Sequence, residues 1–136
     1  VCALRCVRAC VQPRQARGGA VKRQCPTCPW LKGATIDAIP GYVREKHEAL
    51  HSTIAAEGDL TNVTARRLPI MACHYSKLGA ERPCAGWLHH QLGNGNNIAL
   101  RLAALRDATL GQYELAGPQR GTFAETFACG PKKVGA

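Results

Sequence analysis

At 136 residues the chain is long enough for one domain with a hydrophobic core, yet it offers only two Phe, three Tyr and two Trp to fill that core. Aliphatic side chains and alanine must therefore supply most of the burial, which favours a mainly α fold, or a small α+β one, over an aromatic-rich sandwich. The net charge of +9 suggests a polyanion-binding protein until it is located. No run approaches the ~20 apolar residues that a membrane-spanning helix needs, so the expectation is a cytoplasmic protein without membrane contact.

Residues 1–24 hold Arg5, Arg8, Arg14, Arg17, Lys22 and Arg23 with no acid, leaving twelve basic against nine acidic side chains in the rest. They read as a basic, poorly ordered leader that adds salt-dependent affinity for any polyanion, or simply stays solvated. Cys2, Cys6 and Cys10 recur every four residues, but Pro13 and Gly18-Gly19 interrupt any helix that would align them. These thiols are set aside.

At Cys25 the composition changes, and a domain is expected from residue 25 to 129. Cys25-Pro26-Thr27-Cys28-Pro29-Trp30 has the form of a knuckle, two cysteines two residues apart on a proline-stiffened turn. The clearest helix runs from Tyr42 to about Ala56 and is closed by Gly58, with Val43, His47, Leu50 and Ile54 as its apolar stripe. Leu68 to Cys73 reads as a short extended segment that delivers Cys73 and His74. Pro83 suits the start of a helix through Trp87 to about Gln91. Asn97 is a good N-cap for Ile98 to about Arg106, a helix apolar over most of its circumference and expected to be buried. Thr122-Phe123-Ala124-Glu125 has capping-box spacing and predicts a last short helix with Phe123 and Phe127. Residues 130–136 read as a flexible basic tail.

Eight cysteines in a chain of intracellular type point to metal or redox chemistry rather than to a disulfide framework. Cys25, Cys28, Cys73 and Cys84 are enough to close a tetrahedral site, with His74 as an alternative to Cys73. Their second pair is separated by ten residues, so the two-knuckle zinc ribbon is not reproduced. Zinc is the favoured metal, and a 4Fe-4S cluster is the alternative, since Cys28-Pro29 resembles the Cys-Pro after cluster ligands.

His47-Glu48-Ala49-Leu50-His51 matches H-E-x-x-H, which on a helix sets two imidazoles one turn apart on zinc and a glutamate beside the bound water. Against a metallohydrolase stand the placement of His47 in the apolar stripe and the lack of any motif supplying a third ligand. Glu48 thus remains a weak catalytic candidate, and His47 and His51 weak ligand candidates. Cys28 or Cys84 with His74 as base could form a nucleophilic pair, but such a pair needs no other cysteines around it. His89-His90 reads as a wet helix end.

Taken in order, Cys25 to Trp30, the helix with His47 to His51, Ala72-Cys73-His74, Arg82-Pro83-Cys84-Ala85-Gly86-Trp87 and the Asn-rich turn before Ile98 resemble an uncharacterised domain family of bacteria and their phages over about residues 25–128. The resemblance implies Cys25, Cys28, Cys73 and Cys84 as the ligand set, with His74 accessory, and it implies no reaction. Leu31 stands where such sequences lead one to expect a basic residue. The expectation from sequence is a compact, metal-centred, non-enzymatic regulatory or accessory module that binds a nucleic acid or a protein partner.

Overall fold

The computed structural model describes residues 8–11, 22–64, 67–77 and 79–129. Its first strand, β1 (Arg8–Val11), comes from the basic leader. It pairs antiparallel with β3 (Leu68–Met71), Arg8 opposite Met71 and Val11 opposite Leu68. Pro69 is accommodated because a two-stranded sheet leaves each strand an open edge, where a missing N–H costs little. A second pair, β2 (Lys22–Arg23) and β4 (Tyr113–Glu114), runs parallel. It is extended by the Gln24 N–H bond to the Glu114 carbonyl at 2.8 Å, and Lys22 Nζ donates to the Thr109 carbonyl at 2.6 Å. Residues 22–24 therefore belong to the folded body, although the composition shift falls at Cys25. The rest of the leader, with Cys2 and Cys6, and the tail 130–136 lie outside the described residues.

The helix expected from Tyr42 to Ala56 is shorter. It is α1 (Arg44–Ala49), which tightens at once into a 3-10 turn over Leu50–Thr53. Ser52 Oγ bonds back to the Ala49 carbonyl and Thr53 Oγ1 to the Leu50 carbonyl. Hydroxyls that capture carbonyls one turn back compete with the helical ladder and bend it. Of the expected stripe, His47 and Leu50 are buried and Ile54 half-buried, whereas Val43, just ahead of the shortened helix, is 38% exposed.

Two further helices complete the body, α2 (Ala85–Leu92) and α3 (Ile98–Arg106). Gln91 ties them together. Its buried Oε1 accepts from the Ala55 N–H and from Asn97 Nδ2, each at 3.0 Å. Asn97 in turn caps α3 by accepting from the Leu100 N–H at 3.0 Å. The burial expected around α3 is confined to one side. Ala99 and Leu100 are buried, whereas Leu102 is 38% and Leu105 83% exposed. A helix in the outer layer of a small domain contacts the core along one stripe, and its remaining leucines face water.

The core gathers where the knuckle meets α2. Trp30, Trp87, Leu88 and Leu100 are fully buried. Each indole N–H has a partner, Trp30 the Met71 sulfur at 3.4 Å and Trp87 the Thr53 carbonyl at 3.2 Å. His90 stacks on Trp30 with centroids 4.5 Å apart. Helices and short strands are thus mixed in one α+β arrangement. Among the described residues no helix is long and apolar enough to cross a membrane.

Candidate functional site

Three local structures deliver the four cysteines that stand out in the sequence. The knuckle folds back on itself through the Cys28 N–H bond to the Cys25 carbonyl at 3.1 Å and the Leu31 N–H bond to the Cys28 carbonyl at 3.0 Å. Cys73 and Cys84 stand at the base of a hairpin closed by an Ala72–Pro83 bridge. There the Cys73 N–H bonds to Arg82 at 2.7 Å and the Cys84 N–H to Met71 at 2.8 Å. Cys84 is also the N-cap residue of α2. The ten residues between these two cysteines are therefore spent on a hairpin, and its closure restores the proximity that a two-residue spacing would have supplied.

All four side chains are buried free thiols. Cys28 Sγ and Cys84 Sγ are 3.5 Å apart, and Cys25 interacts with both Cys28 and Cys73. The sulfurs form a chain, Cys73 to Cys25 to Cys28 to Cys84. Hydrogen bonds given to Cys28 and to Cys73, together with burial, push the Cys25 thiol far up. Cys84 is raised by its bond to Cys28 and by burial. Cys28 is lowered by the bonds it receives from Cys25 and Cys84, and Cys73 chiefly by its bond from Cys25.

Further donors are trained on the sulfurs. Backbone N–H groups of Trp30, Tyr75 and Trp87 reach Cys28, Cys73 and Cys84, and the Gln24 side chain reaches Cys28. His74 is buried beside Cys25, its ring nitrogens 3.7 and 3.8 Å from the sulfur. Its Nε2 pairs with Thr27 Oγ1 at 2.8 Å, and burial lowers its pKa. Among the described residues, no group of three or more His, Cys, Asp or Glu side chains is disposed as a metal-holding set.

The H-E-x-x-H residues lie elsewhere. His47 is 1% exposed, and both of its nitrogens are engaged, Nδ1 with Tyr42 Oη at 2.7 Å and Nε2 with Thr126 Oγ1 at 2.9 Å. Its ring stacks on Phe127 at 3.8 Å between centroids. Burial, assisted by Arg44, pulls its pKa down to about 4, so at neutral pH it is an uncharged packing element. Glu48 and His51 face solvent. His89 pairs with Tyr113 Oη at 3.2 Å, and His90 Nε2 with the Gly121 carbonyl at 3.0 Å.

Three residues support the site, and two of them, Arg120 and Gln24, carry no signal that a motif search would find. Arg120 places its guanidinium among the carbonyls of Pro29, Leu31, Ala34 and Lys32 at 2.7–3.0 Å. Gln24 exchanges two hydrogen bonds with Gln119 at 2.6 and 2.7 Å. Gly86 lets α2 press on the knuckle, since a Cβ there would stand 2.5 Å from Trp30 Cβ. Only Gly86, inside Cys84-Ala85-Gly86-Trp87, lies in a stretch that the sequence marks out.

These features define a small α+β domain with a buried cluster of four thiols. The chain belongs to a family of unknown function, DUF6283, whose model matches residues 20–128. No curated protein and no solved structure matches it.

Proposed function

We propose that this domain is a small metal-binding accessory module, that Cys25, Cys28, Cys73 and Cys84 hold one structural zinc ion, and that its surface engages a macromolecule, nucleic acid or protein. The observation that carries the reading is the convergence of four buried thiols with N–H donors aimed at three of them. Buried thiols without a task need no such donors, whereas thiolates around a divalent cation retain excess negative charge that hydrogen bonds to sulfur disperse. The 3.5 Å separation of Cys28 and Cys84 lies near the roughly 3.8 Å expected between sulfurs that share one tetrahedral ion at about 2.3 Å. An ion would replace the protons that the thiols now share. Cys28 and Cys84 already stand 3.5 Å apart, and in this reading the other two sulfurs turn toward them by side-chain torsion.

His74 is the accessory group in this reading, close to Cys25 and able to take the place of Cys73. The bound ion contributes energy only to the folded form, which offsets a core poor in aromatics. The basic leader supplies the electrostatic part of any contact with nucleic acid. The bacterial and phage setting implied by the motif resemblance suits a host-directed or regulatory partner.

The test is elemental analysis of natively purified protein beside its Cys28→Ser and Cys84→Ser variants. One equivalent of zinc in the parent, lost from both variants, is the expected result. Brown protein absorbing near about 400 nm would replace zinc by an iron–sulfur cluster. Metal-free protein of unchanged stability in the presence of a chelator would overturn the reading altogether.

A further inference from the structure

The four free thiols of the cluster are not equally placed. Cys25 and Cys73 each keep 9% of their surface, whereas Cys84 keeps 5% and Cys28 none. The outer pair has His74 beside it, whose Nε2 pairs with Thr27 Oγ1 at 2.8 Å, and Thr27 Oγ1 stands 3.3 Å from the hydroxyl of the exposed Tyr75. The cluster therefore has an outer and an inner end. We propose that it is a redox switch, in which a hydroperoxide met at Cys25 ends as a disulfide between Cys28 and Cys84. This regulation rests on the thiol site described above, whose ion the disulfide would expel.

The inner pair is placed for that bond. Cys28 Sγ and Cys84 Sγ are 3.5 Å apart, although 56 positions separate the two residues in sequence. Closing to the roughly 2.05 Å of a disulfide needs about 1.5 Å of movement. Cys28 closes the knuckle turn through its N–H bond to the Cys25 carbonyl, and Cys84 is the N-cap residue of α2. The disulfide would thus tie the knuckle to α2, as the ion does in the reduced form. A buried thiol pair is inert when nothing connects it to solvent. Here Cys25, which interacts with Cys28, extends the pair toward the surface.

The chemistry balances step by step. The Cys25 sulfur attacks the hydroperoxide, a sulfur–oxygen bond forms, the oxygen–oxygen bond breaks, and an alcohol leaves Cys25 as a sulfenic acid. The Cys28 sulfur then attacks that of Cys25, and water departs with the Cys28 proton as the first disulfide forms. Cys84 attacks Cys28 in turn, and Cys25 leaves as a thiol carrying the Cys84 proton. Cys28 must be the central sulfur for this exchange, which is its place between Cys25 and Cys84. In sum two thiols and a hydroperoxide give a disulfide, an alcohol and water, and the two electrons come from Cys28 and Cys84. Where an ion is bound, thiolates replace the thiols and solvent supplies the two protons. The ion is left with half of its ligands and dissociates. Reduction reverses the last exchange, so that Cys25 reopens the inner disulfide and presents the outer one to an external dithiol.

The test titrates full-length protein, as purified, with hydrogen peroxide, maps its thiols and disulfides by mass spectrometry, and reads released zinc with a chromogenic chelator. Expected are a linked Cys28–Cys84 peptide pair, about 2 Da lighter than its reduced parts, and about one equivalent of zinc for each such disulfide. Dithiothreitol followed by zinc should restore the starting state. Cys25→Ser, its folding checked by its melting curve, should slow formation of that disulfide about tenfold or more, whereas mere loosening of the metal would speed it. If that variant does not fold, the end point in the parent decides. Cys28 and Cys84 still reduced after the exposed Cys129 has reacted, either of them finally linked to another cysteine, or an undiminished rate in folded Cys25→Ser would overturn the switch. Protein purified without zinc would overturn the metal assignment instead, and the mapped disulfide would still decide the switch.

Discussion

Replacing Arg120 by alanine should loosen the knuckle more than any other single surface change. The guanidinium gives Nη1 to the carbonyls of Pro29, Leu31 and Ala34, at 2.9, 2.7 and 2.8 Å, and Nη2 to that of Lys32 at 3.0 Å. The Arg120 N–H adds a bond to the Trp30 carbonyl at 2.7 Å, which the substitution leaves in place. Nη1 has only two hydrogens, so its three contacts are shared and the set counts as about three bonds. Bonds from a charged donor contribute roughly 1.5–3 kcal/mol each, but carbonyls near the surface regain water once the side chain is gone. A loss of about 2–4 kcal/mol is therefore expected. For a domain of this size that is a fall in melting temperature of roughly 8–16 °C. Urea unfolding monitored by tryptophan fluorescence measures the total, since Trp30 lies two residues after Cys28 in the knuckle. Hydrogen exchange locates the change, and the Leu31 and Ala34 amides should lose protection before those of α3. Arg120→Lys should restore less than half, because an ammonium cannot reproduce the planar fork. A loss below about 0.5 kcal/mol, the scale of an ordinary surface substitution, would refute the view that Arg120 holds this loop.

Gly86→Ala should destabilise by about 1–3 kcal/mol through overpacking, since its Cβ would meet Trp30 Cβ at 2.5 Å and Gln24 Nε2 at 2.8 Å. Gly33→Ala, which meets nothing within 4 Å, serves as the control in the same thermal melts. The depressed pKa of His47, about 4 against an ordinary 6.5, makes stability depend on pH. The unfolded chain takes up the proton first as pH falls, so the contribution is complete above about pH 6.5 and is lost as pH drops toward 4. Between pH 7.5 and pH 5 the loss from this group is about 2 kcal/mol. His47→Gln should lack that increment, and equal losses in parent and variant would show that the ring is not held neutral by burial. Alkylation of the native protein should be faster at Cys129, which is exposed, than at Cys28, which is fully buried. Mass-spectrometric mapping of the modified thiols checks that order.

The sequence made legible whatever is written in short-range pattern. The knuckle, the extended approach to Cys73, the Asn97 cap and the whole span of α3 all rest on residues within a few positions of one another. The parts it hid depend on distance along the chain. Arg120 acts on carbonyls 86 to 91 positions away, and a lone arginine after Gln119 has no periodicity or spacing to declare that role. Strand β1 lies in a leader whose composition reads as solvated, and its pairing with β3 is decided by an edge that only the fold exposes. The apolar circumference of α3 misled for a related reason, because hydrophobicity states what a helix can bury and the number of neighbouring layers decides how much it does bury.

The same distinction explains why the thiols and the H-E-x-x-H residues diverge although both match ligand patterns. A cysteine can reach its partners from a turn, where the backbone aims the side chain and free N–H groups stand nearby. The knuckle and the hairpin base supply both. A histidine in the apolar stripe of a helix must instead be satisfied by whatever packs on that stripe. Here Tyr42 and Thr126 take both nitrogens of His47, and Phe127 takes its face. Tautomer and orientation are thereby fixed, because Thr126 Oγ1 already donates to the Phe123 carbonyl and must accept from Nε2. What that leaves of the motif is a solvent-facing Glu48 and His51. The histidine thus serves packing, ordering the rings of Phe123 and Phe127 around it.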